Sequence, residues 1–170
     1  MLFDRDDTLI RDVPYNGRPE LVEPVPGAAR ALELLRTHGV RLGVVTNQSG
    51  IRRGLLTAEQ ARAVNARVAE LLGPFDVWEM CPHAPGDGCG CRKPRPGMLL
   101  SAVSRLGVRA AETVMIGDIG ADMGAAAAAG CRGVLVPTSV TLPAEVEAAP
   151  AVAADLPGAV LLALRTEGRP

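Results

Sequence analysis

The chain has 170 residues, 48% of them hydrophobic, which is enough for one compact globular domain with its own core. The formal net charge is -1 and aromatic residues make up only 2%, so neither a nucleic acid nor an anionic membrane surface is indicated as a partner. No apolar run is long enough to cross a bilayer, and no basic segment followed by an apolar one indicates a signal peptide, so we expect a cytoplasmic protein.

Short apolar runs and longer amphipathic segments alternate along the chain, with no internal repeat. In chain order, the pattern predicts strands at 2–3, 41–45, 75–79, 113–116 and 133–136, and helices at 28–37, 57–72, 98–106, 122–129 and 157–164. Thr57 and Gln60 form a capping box that begins the second helix, and the Pro- and Ala-rich segment 142–155 is predicted to be irregular. The first strand is short for a central strand, which favours a natural start upstream of Met1.

The repeated strand–helix units predict the fold class. They indicate an α/β domain that spans residues 1–170, with a mostly parallel sheet and helices on both of its faces. In such a sheet, ligands bind outside the carboxyl ends of the strands. Polar clusters that directly follow a predicted strand are therefore the candidates for site residues.

Two carboxylates, Asp4 and Asp6, follow the first strand and alternate with Arg5. Side chains two residues apart on a strand point to the same side, so we expect the two carboxylates to converge on one spot that suits Mg²⁺. One carboxylate can attack phosphorus, and the other can protonate the leaving oxygen and then activate water. A solvated acidic turn is the alternative, and the partners further along the chain argue against it.

A second polar segment follows the strand predicted at 41–45. Its hydroxyl, side-chain amide and backbone N–H groups are suited to binding phosphate oxygens, although Thr-Asn at a strand end is also an ordinary turn. The candidate residues are Thr46, Asn47, Gln48 and Ser49.

Two more segments supply opposite charges. Arg92 offers a planar fork and Lys93 a point charge for a phosphate group, unless both are solvated surface residues. Asp118 and Asp122 flank a predicted strand-to-helix turn. Asp118 is placed to complete a Mg²⁺ site, and Asp122 is a further candidate ligand that could also cap the helix.

Three cysteines and a histidine lie within the loop 81–91: Cys81, His83, Cys89 and Cys91. Three thiols and one imidazole match a closed tetrahedral Zn²⁺ site, which is structural rather than catalytic because the protein supplies all four ligands. Buried or free thiols are the alternative, but four soft ligands at this spacing favour a metal in a reducing compartment.

The four polar segments together resemble the haloacid dehalogenase superfamily of phosphohydrolases, on the residues Asp4-Arg5-Asp6-Asp7-Thr8, Thr46, Lys93, Gly117-Asp118 and Asp122. The resemblance implies that Asp4 forms an aspartyl phosphate, that Asp6 is the general acid and base, and that Thr46 and Lys93 stabilise the phosphate. It implies Mg²⁺ held by the Asp4 side chain, the Asp6 carbonyl and Asp118. The implied fold is a three-layer α/β/α Rossmann-like sandwich, here without room for a large cap domain.

The cysteine loop and the segment Thr46 to Gly54 resemble one branch of that superfamily, which contains D-glycero-D-manno-heptose 1,7-bisphosphate 7-phosphatases and histidinol phosphatases. The resemblance implies a small phosphorylated metabolite as substrate, with heptose bisphosphate favoured, removal of its 7-phosphate, and histidinol phosphate as the alternative. It implies substrate contacts from Thr46 to Ser49 and from Arg53, Arg92 and Lys93. We expect a monomer.

The chain departs from that branch at two positions. Asp7 stands where the branch usually has glycine, and Ile119 where it often has a basic or polar residue. Isoleucine cannot donate a hydrogen bond, which favours a substrate with fewer charges at that end. A non-catalytic phospholigand-binding module is a hypothesis of another class, and it would predict loss of one of the key residues. Asp4, Asp6, Lys93 and Asp118 are all present, so we expect an enzyme.

Overall fold

Five parallel strands form one sheet in the order β3-β2-β1-β4-β5, which places the first strand at its centre. The computed structural model describes residues 1–165. The strands are β1 (Leu2–Phe3), β2 (Gly43–Asn47), β3 (Val77–Cys81), β4 (Val114–Gly117) and β5 (Arg132–Leu135). The chain builds one half of the sheet outward from β1 and then returns to build the other half. This switch leaves a crevice at the carboxyl ends of β1 and β4.

Helices cover both faces of the sheet and complete a three-layer α/β/α sandwich, as the sequence predicts. They are α1 (Ala28–Thr37), α2 (Ala58–Leu72), α3 (Gly97–Leu106), α4 (Gly120–Ala129), α5 (Pro143–Ala148) and α6 (Leu156–Arg165). One apolar core lies between the sheet and α1, α2 and α6, and a second lies between the sheet and α3 and α4. Within residues 1–165, no separate cap domain interrupts these layers.

The observed strands differ slightly from the predicted ones. The strands predicted at 41–45 and 75–79 each lie two residues further along the chain. The N–H of Leu42 donates to the Asp76 side chain at 2.7 Å instead of to a strand carbonyl, so regular pairing begins only at Gly43. Pairing then continues through the polar residues Thr46 and Asn47, because a sheet ladder uses backbone groups and not side-chain polarity.

The prediction of an irregular segment at 142–155 was wrong for residues 143–148, which form α5. Pro143 occupies the first turn, where no N–H is needed, and the Glu145 carboxylate accepts the Leu142 N–H at 3.0 Å. By contrast, the capping box of Thr57 and Gln60 is confirmed at the start of α2, with reciprocal bonds of 2.8 and 3.1 Å. In the part of the chain that the structure describes, no helix combines the length and apolarity needed to traverse a bilayer.

Candidate active site

The side chains around β1 alternate between the two faces of the sheet. Leu2 packs in the core beneath α3 and α4, whereas Phe3 packs in the core beneath α1, α2 and α6. Asp4 continues the ladder beyond the strand, its N–H donating to the Ile116 carbonyl at 2.9 Å. Alternation therefore directs Asp4 towards the α3 and α4 side and Arg5 towards α2.

Three buried carboxylates and one buried ammonium group meet at the crevice. One oxygen from each of Asp4, Asp118 and Asp122 lies within 4.8 Å of the others. Lys93 Nζ lies 2.7 Å from Asp4 Oδ1 and 2.6 Å from Asp122 Oδ1, and it donates to the Val45 carbonyl at 2.8 Å. Lys93 is the only lysine of the sequence, and its side chain is 2% exposed.

The charges of this cluster are out of balance. Burial raises the pKa of Asp4 to about 7, against the attraction of Lys93 and with the repulsion of Asp122 and Asp6. Burial and the charges of Asp4 and Asp122 raise the pKa of Asp118 to about 8. Burial opposes the Lys93 charge, but Asp122 and Asp4 outweigh it and raise the pKa of Lys93. One ammonium cannot neutralise three carboxylates, and their oxygen donors fit a hard divalent cation such as Mg²⁺.

Asp122 and Asn47 each hold part of this arrangement in place. Asp122 is the third residue of α4 and its Oδ2 accepts the N–H of Ile119 at 3.3 Å, so the predicted cap acts from inside the helix. The Asn47 side chain accepts the Lys93 N–H and donates to the Lys93 carbonyl, both at 3.2 Å. The amide predicted to bind substrate is therefore committed, in this structure, to the main chain of Lys93.

The Asp6 carboxylate lies outside the three-carboxylate cluster. Arg5 Nε and Nη2 donate to its two oxygens at 3.1 Å each, and Gln48 Nε2 donates to Oδ2 at 2.9 Å. Arg5 Nη1 donates to Asn65 Oδ1 on α2 at 2.7 Å. The strand ends at Phe3 and the chain turns after Arg5, so the period-two rule does not carry Asp6 onto the spot that Asp4 occupies.

Arg5 and Asn65 were missed as site residues by the sequence analysis. Arg5 is 1% exposed, which is rare for a guanidinium, and its partner comes from a helix 60 positions away. A charged residue between two strand-end carboxylates was the available signal.

A cleft of about 380 Å³ opens beside these groups. Of the predicted substrate ligands, Asn47, Gln48, Ser49, Arg92 and Lys93 line it. Thr46 is fully buried beneath the cleft and its hydroxyl accepts from Gln48 at 2.9 Å. Ile119 and Val140 form an apolar part of the wall.

Arg53 does not line the cleft directly. Its Nη1 donates to the Tyr15 hydroxyl at 2.7 Å and its guanidinium lies 5.8 Å from the centre of the Tyr15 ring, while Tyr15 itself lines the cleft. Asp7 also lines the cleft. Its backbone has a φ of 54°, and its Oδ1 accepts the N–H of Asp12 at 2.9 Å. The lining of the cleft thus includes both acidic and basic side chains.

The structure brings the four predicted zinc ligands together. The Cys81 Sγ lies 3.1 Å from that of Cys91, 3.7 Å from that of Cys89 and 3.5 Å from His83 Nδ1. A tetrahedron with metal–sulfur bonds of about 2.3 Å has edges of about 3.7 Å, so this group is close to the size that Zn²⁺ requires. Arg92 joins the loop to the cleft, because its Nη1 donates to the His83 carbonyl at 3.2 Å.

Comparisons with known proteins give a consistent result. A family model described as HAD-hydrolase-like matches residues 90–160. The D-glycero-beta-D-manno-heptose-1,7-bisphosphate 7-phosphatase of Salmonella typhi is 39% identical over 176 residues, covering 94% of this chain and 94% of that protein. The protein of the same name from Pseudomonas putida is 37% identical over 143 residues, covering 81% of this chain and 82% of that protein.

The fold is also similar to a solved structure. The crystal structure of D,D-heptose 1,7-bisphosphate phosphatase from B. bronchiseptica, complexed with magnesium and phosphate, has a TM-score of 0.85 and 31% sequence identity to this chain. The match covers 98% of each chain. The Salmonella typhi protein thus resembles the chain in sequence, and the B. bronchiseptica protein resembles it in fold, along nearly its whole length.

Proposed function

Because the chain belongs to the haloacid dehalogenase-like phosphatases, we propose that it removes the 7-phosphate of D-glycero-D-manno-heptose 1,7-bisphosphate. The observation that carries the chemistry is the buried set in which Lys93 pairs with Asp4 and Asp122 next to Asp118. The substrate is proposed from the names of relatives that match most of the chain.

Asp4 is the nucleophile in this proposal, and Asp6 is the general acid and base. A carboxylate oxygen of Asp4 bonds to phosphorus while the bond from phosphorus to the sugar oxygen breaks, and protonated Asp6 gives its proton to that oxygen. Asp6, now a carboxylate, takes a proton from water, whose oxygen bonds to phosphorus. This second step breaks the bond to Asp4 and releases inorganic phosphate.

Lys93 holds positive charge beside the reacting carboxylate and faces the cleft. It stabilises the negative charge on the phosphoryl oxygens from a fixed position, because two hydrogen bonds and the ion pair with Asp122 hold its ammonium group. Asp4, Asp118 and Asp122, with the Asp6 carbonyl that the resemblance implies, would hold Mg²⁺ here. The cation would supply further charge to offset that of the phosphate.

The remaining predicted ligands position the substrate. Gln48, Ser49 and Arg92 line the cleft and can reach phosphate or sugar oxygens. Thr46 acts through Gln48 in this geometry, and Arg53 acts beside Tyr15 at the rim. The loop of Cys81, His83, Cys89 and Cys91 would hold a structural Zn²⁺, since all four positions belong to the protein.

Histidinol phosphate is the second candidate substrate, and Ile119 is the observation that favours it. The residue lines the cleft and has no hydrogen-bond donor in its side chain, so it cannot bind a second phosphate group. A monophosphate would leave nothing unpaired at this position.

The test is phosphate release with Mg²⁺ from both anomers of heptose 1,7-bisphosphate, histidinol phosphate, other sugar phosphates and a 3′-phosphorylated oligonucleotide. We expect a strong preference for one heptose anomer, with Asp4→Asn as the inactive control. Activity on histidinol phosphate alone would identify that compound, the second candidate, as the substrate. No release from any compound, with Mg²⁺ and phosphate still bound, would overturn both and favour a non-catalytic phospholigand-binding role.

We further propose that the protein acts as a cytoplasmic monomer and that residues 1–170 form one domain. Light scattering of the purified protein checks the monomer, since a dimer would double the measured mass.

A further inference from the structure

Asp6 is the terminus of a buried chain of hydrogen bonds that begins on α2. Resting on the roles proposed above for Asp4 and Asp6, we propose that Asn65 is a positioning residue. Through Arg5, it holds the Asp6 carboxylate in place for hydrolysis of the aspartyl phosphate. Asn65 does not line the cleft, so its effect has to pass through Arg5.

The Arg5 guanidinium forms a fork, in which Nε and Nη2 donate to the two oxygens of Asp6. Arg5 Nε and Nη2 each lie 3.1 Å from an oxygen of Asp6, so the guanidinium binds the carboxylate in a bidentate manner. The remaining end of the same guanidinium donates to Asn65 Oδ1 at 2.7 Å. A planar group held at both ends cannot rotate, and the orientation of Asp6 is thereby tied to the position of α2.

The positive charge of Arg5 is buried. Arg5 is among the largest fully buried side chains, and Asn65 is 9% exposed. A guanidinium taken out of water is unfavourable unless its N–H groups find acceptors, and an apolar side chain of similar size would pack here without that penalty. Packing therefore does not explain an arginine at this position, whereas a need to orient Asp6 does.

The contact between Arg5 and Asp6 suits the second half of the proposed reaction, in which water attacks the aspartyl phosphate. Arg5 and Gln48 together place three N–H donors on the two Asp6 oxygens, an arrangement that suits a carboxylate, whose oxygens are acceptors only. Asp6 reaches that form once it has given its proton to the leaving oxygen. The fork then holds the carboxylate that takes a proton from water while phosphate leaves Asp4.

The experiment is stopped-flow hydrolysis of p-nitrophenyl phosphate with Mg²⁺. Its good leaving group needs little protonation, so the first half of the reaction depends little on Asp6. We expect Asn65→Ala to lower the steady-state rate about 10-fold, since removing the partner of an orienting group has effects of this size. We also expect a burst of p-nitrophenol approaching one per active site, because the phosphorylated enzyme accumulates.

Three variants serve as controls. Asn65→Asp keeps an acceptor for Arg5 and is expected to return both the rate and the burst most of the way to wild type. Val64→Ala removes buried volume from the same turn of α2 without touching Arg5, and its burst is expected to equal that of wild type. Asp6→Asn is expected to give the full burst with almost no turnover. Asn65→Ser replaces Asn65→Ala should the latter fail to fold.

The outcomes separate the inference from the function on which it rests. A lower rate for Asn65→Ala without a larger burst would overturn the positioning role, since lost stability reduces the rate and the burst together. A burst for Asp6→Asn but not for Asn65→Ala would overturn the inference and leave the proposed function intact. No burst for Asp6→Asn would overturn the role of Asp6 in the second half, and the inference with it.

Discussion

Lys93 donates a 2.7 Å hydrogen bond to Asp4 across a separation of 89 positions in the chain. The two residues approach from different sides of the crevice, Asp4 at the end of β1 and Lys93 just before α3. Their contact depends on the folding of the whole sheet, because the two segments lie far apart in the sequence. The proposed nucleophile and the buried ammonium group beside it are therefore fixed relative to each other by the fold, before any substrate enters.

Replacing the proposed nucleophile should separate chemistry from folding. We expect Asp4→Asn to reduce turnover by roughly 10⁴-fold or more, because an amide cannot form the acyl phosphate. The amide oxygen can still accept from Lys93, so the circular dichroism spectrum should be unchanged. Turnover near that of wild type would remove Asp4 from the role of nucleophile.

Removing the buried ammonium should affect both rate and stability. We expect Lys93→Met to lower kcat by about 10²-fold or more and the free energy of unfolding by about 3–5 kcal/mol, because Asp4 and Asp122 lose a buried partner. Urea denaturation measures the second effect. The control is Arg109→Met, whose partner Glu112 is exposed and whose loss should hardly change stability. Equal stability losses for the two variants would contradict the buried pair.

The raised pKa values of Asp4 and Asp118 predict an unusual pH dependence without Mg²⁺. Both acids keep a proton in the folded protein that the unfolded chain releases near about pH 4. Above that pH the unfolded state binds fewer protons than the folded state, so the free energy of unfolding should fall as the pH rises. The fall should end once the pH has passed both raised pKa values, about 7 for Asp4 and about 8 for Asp118. At about 1.4 kcal/mol for each unit of pKa, the two groups together correspond to a loss of up to about 10 kcal/mol across this range.

Melting temperatures with and without Mg²⁺ check this dependence. The cation binds the deprotonated carboxylates, so the stabilisation by Mg²⁺ should be larger at about pH 8 than at about pH 5.5. Asp118→Asn, which removes one of the two acids, should give a flatter curve without Mg²⁺. An effect of Mg²⁺ that is the same at both pH values would contradict the assignment.

The cysteine loop should carry one zinc ion that stabilises the fold. We expect Cys89→Ser to lose the metal and to lower Tm by roughly 5 °C or more, equivalent to about 2 kcal/mol for a chain of this size. Mass spectrometry of the metal content provides the measurement. Cys131→Ala, which changes a buried cysteine outside the loop, should keep its zinc. A wild-type protein that contains no zinc, yet has the same Tm as the zinc-loaded protein, would refute the structural role.

Adding charge to the cleft wall should reveal how the substrate is chosen. We expect Ile119→Lys to lower KM for a sugar bisphosphate about 10-fold relative to a monophosphate, because the ammonium can pair with the second phosphate. Added salt should reduce the gain. The control Ile119→Met has similar length and no charge. An equal change of KM for both substrates would show that this wall does not meet the second phosphate.

Local signals in the sequence predicted the fold well. The reciprocal side chains of Thr57 and Gln60 specify the start of α2 without help from distant residues. The bounds of β2 and β3 were less accessible, because the Asp76 side chain that takes the place of a strand carbonyl at Leu42 lies 34 positions away. The helix at 143–148 was hidden in a Pro- and Ala-rich stretch whose decisive feature is the hydrogen bond that the Leu142 N–H donates to the Glu145 carboxylate.

For the site, the sequence predicted that Asp118 and Asp122 meet Asp4, but it misplaced the Asp6 carboxylate and did not report the contacts that each side chain makes. Asp118 and Asp122 converge with Asp4 as expected, because all three follow strands or begin a helix at one sheet edge. The amide of Asn47 binds the Lys93 main chain, and only the folded structure shows this commitment. The Arg5–Asn65 contact joins two elements 60 positions apart, and no short-range pattern reports it.

The only lysine of this chain lies buried in the site, and this has a practical consequence for covalent labelling. A reagent directed at primary amines meets just two targets, the amino terminus and Lys93, and burial beside two carboxylates, which also raise its pKa, makes Lys93 poorly reactive. Modification of the peptide that contains Lys93, followed over time, would therefore report how readily the Lys93 amine becomes accessible to the reagent. Bound phosphate or substrate should slow that modification, which makes a single mass measurement a binding assay that needs no turnover.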